Sequence, residues 1–166
     1  MRPLYEYTLD ALRQIVGVSA VTQERLFKEN NLYVEMPQMR FIEDFCTIHL
    51  KGPRQAGHTM AMLHLIKERF ANKVVLIVPN STTRHHIANK AYDVLGSRWQ
   101  NRVLVINGAR DIDQRYVFNP GSIDAILVDN ASYWDHDQLK RIVIDTIRIA
   151  RGRLDKSIPF FYIMVQ

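Results

Sequence analysis

Lys51-Gly52-Pro53-Arg54-Gln55-Ala56-Gly57-His58-Thr59 stands between a short apolar run, Cys46-Thr47-Ile48-His49-Leu50, and a helix-like run from Thr59 to about Phe70. Strand, glycine turn and helix in that order bring unpaired backbone N–H groups to a helix N-terminus, where aligned peptide dipoles favour an anion. Gly52, Gly57 and Thr59 keep the spacing of the phosphate-cradling pattern G-x-x-x-x-G-K-[ST], in which the lysine reaches the phosphates and the hydroxyl reaches Mg2+. The lysine position holds His58. Histidine is a weaker cation than lysine at neutral pH, so Arg54 inside the loop and Lys51 before it are the charges at hand to replace it.

On the C-terminal side of this loop the chain alternates. Strands are expected at 46–50, 73–78, 102–106, 124–128 and 160–165, and helices at 59–70, 82–95 and 136–151, with Ser81 and Thr82 as caps of the second. The strand segments are almost continuously apolar, as strands covered on both faces are. That rhythm predicts an α/β fold with a mainly parallel sheet of about five strands and right-handed crossovers. Residues 107–123 are polar and punctuated by Gly and Pro, with Tyr116-Val117-Phe118 an expected extra edge strand.

Upstream, Leu9, Leu12, Ile15 and Val16 share a helical face, and Gly17 is expected to end that helix. Ser19 then caps a second helix to about Asn30, and Met36-Pro37-Gln38 opens a third segment through Phe45. No linker rich in Gly, Ser or Pro separates these helices from the rest. Residues 1–35 therefore read as a helical lead-in packed on a core of residues 36–166.

The 166 residues suffice for one buried core, and 47% hydrophobic with 23% charged residues is ordinary for a globular chain. No apolar run approaches the roughly 20 residues of a membrane span. The N-terminus has no signal-peptide pattern. A single cysteine, Cys46, excludes an internal disulfide framework and fits a reducing, cytoplasmic setting. The net charge of +5 permits contact with nucleic acid without demanding it.

A second signal lies at Ala125-Ile126-Leu127-Val128-Asp129-Asn130-Ala131. An aspartate closing a buried strand at the carboxyl edge of a sheet is where phosphate-loop enzymes hold Mg2+. With it, the pattern resembles a family. Arg54-Gln55-Ala56-Gly57-His58-Thr59 is similar to the R-Q-x-G-K-[ST] loop of viral large-terminase ATPases, and Asp129-Asn130-Ala131 to their D-E-A box, itself close to that of superfamily 2 helicases. Val75 to Ser81 resembles their second strand and loop, Phe161 to Gln166 their sensor strand, and Gln38 their adenine-reading glutamine.

The resemblance covers roughly residues 36–166 and implies a three-layer, RecA-like P-loop NTPase sheet with the phosphate-loop strand beside the Asp129 strand. It implies ATP held by Gly52, Arg54, Gln55, Ala56, Gly57, His58, Thr59 and Gln38, and Mg2+ held by Thr59 and Asp129. It also implies a viral protein in the host cytoplasm. Two departures bear on catalysis: His58 replaces the lysine, and Asn130 replaces the glutamate that polarises the attacking water. An amide orients a water but cannot take its proton. The expectation is a degenerate ATPase domain, inactive or nearly so, that binds DNA or a protein partner. A slow ATPase using Arg54 and completed in trans by a neighbouring subunit, and an interaction module with no nucleotide role, are the alternatives. Neither a nuclease domain nor a second RecA lobe fits within these residues, which implies a fragment or a stand-alone relative.

Each residue also has a plainer reading. Thr59 is equally a helix-start threonine bonded to backbone, and Asp129 a strand-end aspartate capping a turn. Arg84, Arg151, Arg153 and Lys156 suit a nucleic-acid backbone, or equally the cations favoured near helix C-termini. Tyr133-Trp134 suits base stacking or a half-buried turn. The histidines with Cys46 match no zinc spacing, and no serine sits in a G-x-S-x-G elbow.

Overall fold

In the computed structural model, described here for residues 2–29, 35–53, 56–107, 123–151, 155, 156 and 158–166, five strands form one all-parallel sheet. They are β1 (Thr47–Leu50), β2 (Lys73–Ile77), β3 (Val103–Ile106), β4 (Ile123–Val128) and β5 (Phe161–Val165). The helices are α1 (Leu4–Glu29), α2 (His58–Arg69), α3 (Ser81–Leu95) and α4 (His136–Arg151). A short helical segment, Gln38–Phe41, runs into a π-helical turn, Ile42–Cys46, just before β1.

Alternate side chains of each strand point to opposite faces, and the burial pattern separates them into two cores. Ile48, Val74, Leu76, Val105, Leu127 and Ile163 face one way, against Leu9, Leu12 and Val16 of α1, Ala61 to Ile66 of α2, and Ile87, Ala91 and Val94 of α3. Val75, Ile77, Leu104, Ile126, Val128 and Met164 face the other way, against Phe41, Ile42 and Cys46, and against Leu139, Ile142, Val143 and Ile147 of α4. Helices thus cover both faces. This is why β2 to β5 read as near-continuous apolar runs rather than alternating ones, whereas β1, at the sheet edge, leaves His49 exposed.

The spatial order is β1-β5-β4-β2-β3. β1, which leads into the glycine loop, is therefore not beside β4, which ends at Asp129, although the resemblance implied that it would be. β5 lies between them, paired to β1 through Ile48↔Ile163 and to β4 through Leu127↔Ile163.

Two local expectations are also corrected. Gly17 does not end a helix, because α1 runs unbroken from Leu4 to Glu29. Its buried stripe of Leu9, Leu12 and Val16 continues past the glycine to Gln23, and tertiary burial outweighs the roughly 1 kcal/mol propensity cost of one glycine. Ser19 accordingly lies inside α1, where its hydroxyl donates to the Phe45 carbonyl at 3.4 Å. The cap of α3 is Asn80, not Ser81 or Thr82: Asn80 Oδ1 accepts from the Thr83 N–H at 2.9 Å. The expected edge strand at Tyr116-Val117-Phe118 lies outside the described residues.

Gln23 is the buried polar residue that ties α1 to the sheet. Its Nε2 donates to the Phe160 carbonyl at 2.9 Å, and its Oε1 accepts from the Phe160 N–H at 3.0 Å. No helix among the described residues is long and apolar enough to cross a membrane.

Candidate functional site

The connections leaving β2 and β4 go to opposite faces of the sheet, the first through α3 and the second through α4. Adjacent parallel strands whose connections part in this way leave a crevice beyond their carboxyl ends, the usual ligand site of open α/β sheets. A cleft of about 610 Å³ opens there, lined by Gly57, His58, Thr59 and Met60 of the glycine loop and α2, Pro79, Thr83 and Lys90 after β2, Asp129 and Asn130 after β4, and Gln166 after β5.

The loop reaches this place through a left-handed turn. Gly57 has φ +74°, where only glycine sits without cost, and it directly precedes α2. No side chain caps α2, in contrast to α3, capped by Asn80, and α4, where Asp135 Oδ1 accepts from the N–H groups of Asp137 and Gln138. The orphan N–H groups of the first turn of α2 therefore belong to residues that line the cleft. From outside, α1 braces the same turn: Thr8 Oγ1 donates to the Ala56 carbonyl at 3.1 Å, and Tyr5 stacks on His64 of α2 at 5.0 Å. Gly52 is held at the strand end, its N–H donating to the Gln166 carbonyl at 3.0 Å.

Thr59 and Asp129 meet in the cleft. Thr59 Oγ1 donates to Asp129 Oδ2 at 2.8 Å. Asp129 is only 7% exposed, and burial raises its pKa above the ordinary carboxylate value. The Thr59 hydroxyl, and more weakly His58, Lys90 and the Asn130 N–H, pull it back down. A hydroxyl and a carboxylate side by side are hard oxygen donors of the kind Mg2+ takes, with phosphate oxygens and waters completing its shell. The residues present thus fit that ion. No group of three or more His, Cys, Asp or Glu able to hold a metal occurs among the described residues.

His58 turns its ring in against the loop. Its ring folds back on Gly52, so close that a Cβ added there would lie 2.8 Å from Nε2. That nitrogen is shielded from solvent and has no hydrogen-bond partner among the described residues. Asn130 adopts a left-handed conformation, φ 57° and ψ 54°, and its Oδ1 accepts from Ser132 Oγ at 3.4 Å. It lies at the cleft with no basic atom to offer a water.

The other expected residues are distributed as follows. Ala56 is in the turn before α2, while Arg54 and Gln55 lie outside the described residues. Gln38 does not line the cleft; it begins the segment whose Phe41 packs in the core on the α4 side. Lys156 is 8% exposed, its ammonium donates to the Met36 carbonyl and sits 5.3 Å from the Phe41 ring centre, so it is not offered to a nucleic-acid backbone. Arg84 is half-buried on α3, Arg151 is the last residue of α4, and Arg153 is outside the described residues. Tyr133 is 60% exposed and meets Trp134 edge to face.

Sequence reasoning missed Pro79, Thr83, Gln166 and above all Lys90. Thr83 and Lys90 are seven residues apart on α3, two turns along one face, with Lys90 next to the buried stripe of Ile87 and Ala91. That spacing was the available signal. No family model matches this chain, and no curated protein matches it.

Proposed function

We propose that the chain is a RecA-like phosphate-loop domain of viral terminase or helicase type, with hydrolysis lost or very weak, that acts in nucleic-acid transactions by binding DNA or a protein partner. The observation that carries the reading is the 2.8 Å hydrogen bond from Thr59 to Asp129 inside the cleft. These residues are 70 positions apart, and the loop pattern and the strand-end aspartate are the two signals that would have to converge for a nucleoside triphosphate with Mg2+. An uncapped α2 and a glycine in the left-handed region beside it support the same reading.

When bound, Mg2+ would offset the charge of the phosphate chain at Thr59 and Asp129. The N–H groups of the first turn of α2 hold phosphate oxygens by direct donation. Hydrolysis needs in addition a group that takes a proton from water, and Asn130 cannot. The domain therefore retains ligand with little turnover, and its contribution to a larger assembly is binding.

The test is the melting temperature with ATP and Mg2+. A rise is expected for the wild-type chain, abolished in Asp129→Asn, with turnover at background. Salt-dependent retention on DNA points to a nucleic-acid partner, and its absence to a protein one. If neither the wild-type chain nor His58→Lys responds to nucleotide, the reading falls.

A further inference from the structure

We propose that Lys90 of α3 supplies the phosphate-binding cation that the glycine loop lacks, so that a polyphosphate is gripped between the α2 N-terminus and a lysine on the neighbouring helix. This rests on the nucleotide-binding reading above and names the residue that makes it workable.

The geometry begins with α3. Its buried residues Ile87, Ala91 and Val94 face the sheet, which turns position 90 to the flank of the helix beside that stripe. Long helical side chains run back toward the helix N-terminus, and the N-terminus of α3 lies at the carboxyl edge of the sheet, directly after β2. Lys90 accordingly lines the cleft together with Thr83 above it and with Gly57, His58 and Thr59 opposite. α2 and α3 belong to one packed core, so the lysine and the α2 first turn are held at a fixed separation.

The electrostatics agree. Lys90 is half-buried and forms no ion pair with any described residue. Its charge is felt at the Asp129 carboxylate, which it stabilises. A cation that lines a cleft without a paired anion attracts a negative ligand. His58, folded back on Gly52, does not compete for the same place. A lysine acts on phosphate as a point charge with three donors rather than as a shaped fork, so it serves equally well when it arrives from a different helix.

The experiment compares wild-type, Lys90→Gln, Lys90→Arg, His58→Lys and the double variant Lys90→Gln with His58→Lys. Each is titrated with ATP·Mg2+ and with inorganic tripolyphosphate at fixed low salt. A charge-assisted contact predicts a loss of about tenfold or more in affinity for Lys90→Gln, of similar size for both ligands. Lys90→Arg retains most of the binding, and the double variant recovers it by returning the cation to the loop. Unchanged melting temperatures without ligand separate lost binding from lost folding.

If the wild-type chain binds and Lys90→Gln binds equally well, the inference is overturned and the nucleotide reading stands. It is overturned in the same way if only His58→Lys binds. If no variant binds either ligand, both fall.

Discussion

The same substitution made at two glycines should move stability in opposite directions. Gly57 has φ +74°, and a Cβ there would lie 2.6 Å from Tyr5 Cβ, 3.0 Å from Tyr5 Cα and 3.1 Å from Tyr5 N. Gly57→Ala therefore carries two separate costs. Holding alanine in the left-handed region costs roughly 1–2 kcal/mol. Pushing aside the first turn of α1, rooted in backbone rather than in a flexible side-chain tip, costs about 1–3 kcal/mol. Together they come to roughly 2–5 kcal/mol, or a melting temperature lower by about 4–20 °C for a domain of this size. Gly17 lies mid-helix in α1 with nothing within 4 Å of an added Cβ, so Gly17→Ala should stabilise by about 0.5–1 kcal/mol. The assay is urea denaturation followed by far-UV circular dichroism, with the melt as a cross-check. Gly57→Asn should cost less than Gly57→Ala, since asparagine tolerates the left-handed region, but it brings the same Cβ contact. Tyr5→Ala keeps all three offending atoms and should not rescue Gly57→Ala. A Gly57→Ala chain within about 1 kcal/mol of wild type, or full rescue by Tyr5→Ala, would refute the reasoning.

Burial raises the Asp129 pKa, so the folded chain holds that proton more tightly than the unfolded one. The stability from this group is present below the unfolded value of 3.8 and is lost as pH rises through the raised folded value. Asp129→Asn should then melt above wild type at neutral pH in the absence of ligand, with the gap closing in melts taken toward and below pH 3.8. Gln23→Ala leaves the buried N–H and carbonyl of Phe160 without their partner; at about 1–3 kcal/mol per group, urea denaturation should register a loss of roughly 2–6 kcal/mol. Cys46 is fully buried and its thiol pKa is pushed up by that burial. Mass spectrometry should find it unmodified by iodoacetamide in the native chain and labelled in denaturant, and rapid native labelling would contradict the burial.

The strands from Lys73 onward could be read from the chain because parallel strands covered on both faces must be apolar at almost every position. Lys73–Ile77 and Phe161–Val165, buried at almost every position, are the clearest cases. The meeting of Thr59 and Asp129 was implied by the resemblance of their two motifs, but through adjoining strands, whereas the structure brings them together with β5 between. What could not be read is which strands are neighbours: Ile163 lies between Ile48 and Leu127 because of packing choices that no local pattern records. The helix break expected at Gly17 failed because a buried stripe runs through it. Lys156 read as a surface cation, but the Met36 carbonyl and the Phe41 ring hold it inside. Lys90 is the converse case: a lone lysine on an amphipathic helix looks solvent-facing until the helix is docked.

The place of β5 has a consequence for assembly. Among the described strands it comes last in sequence, yet it is the piece inserted between β1 and the β4-β2-β3 trio. A chain still emerging from the ribosome can zip the trio, while Thr47–Leu50 waits with both flanks unpaired. Such late, long-range closure is the slow part of building a parallel sheet. Only when Phe161–Val165 slots home do the two halves of the cleft come into register, so any affinity of the cleft for a ligand should appear no earlier than that pairing in a refolding chain.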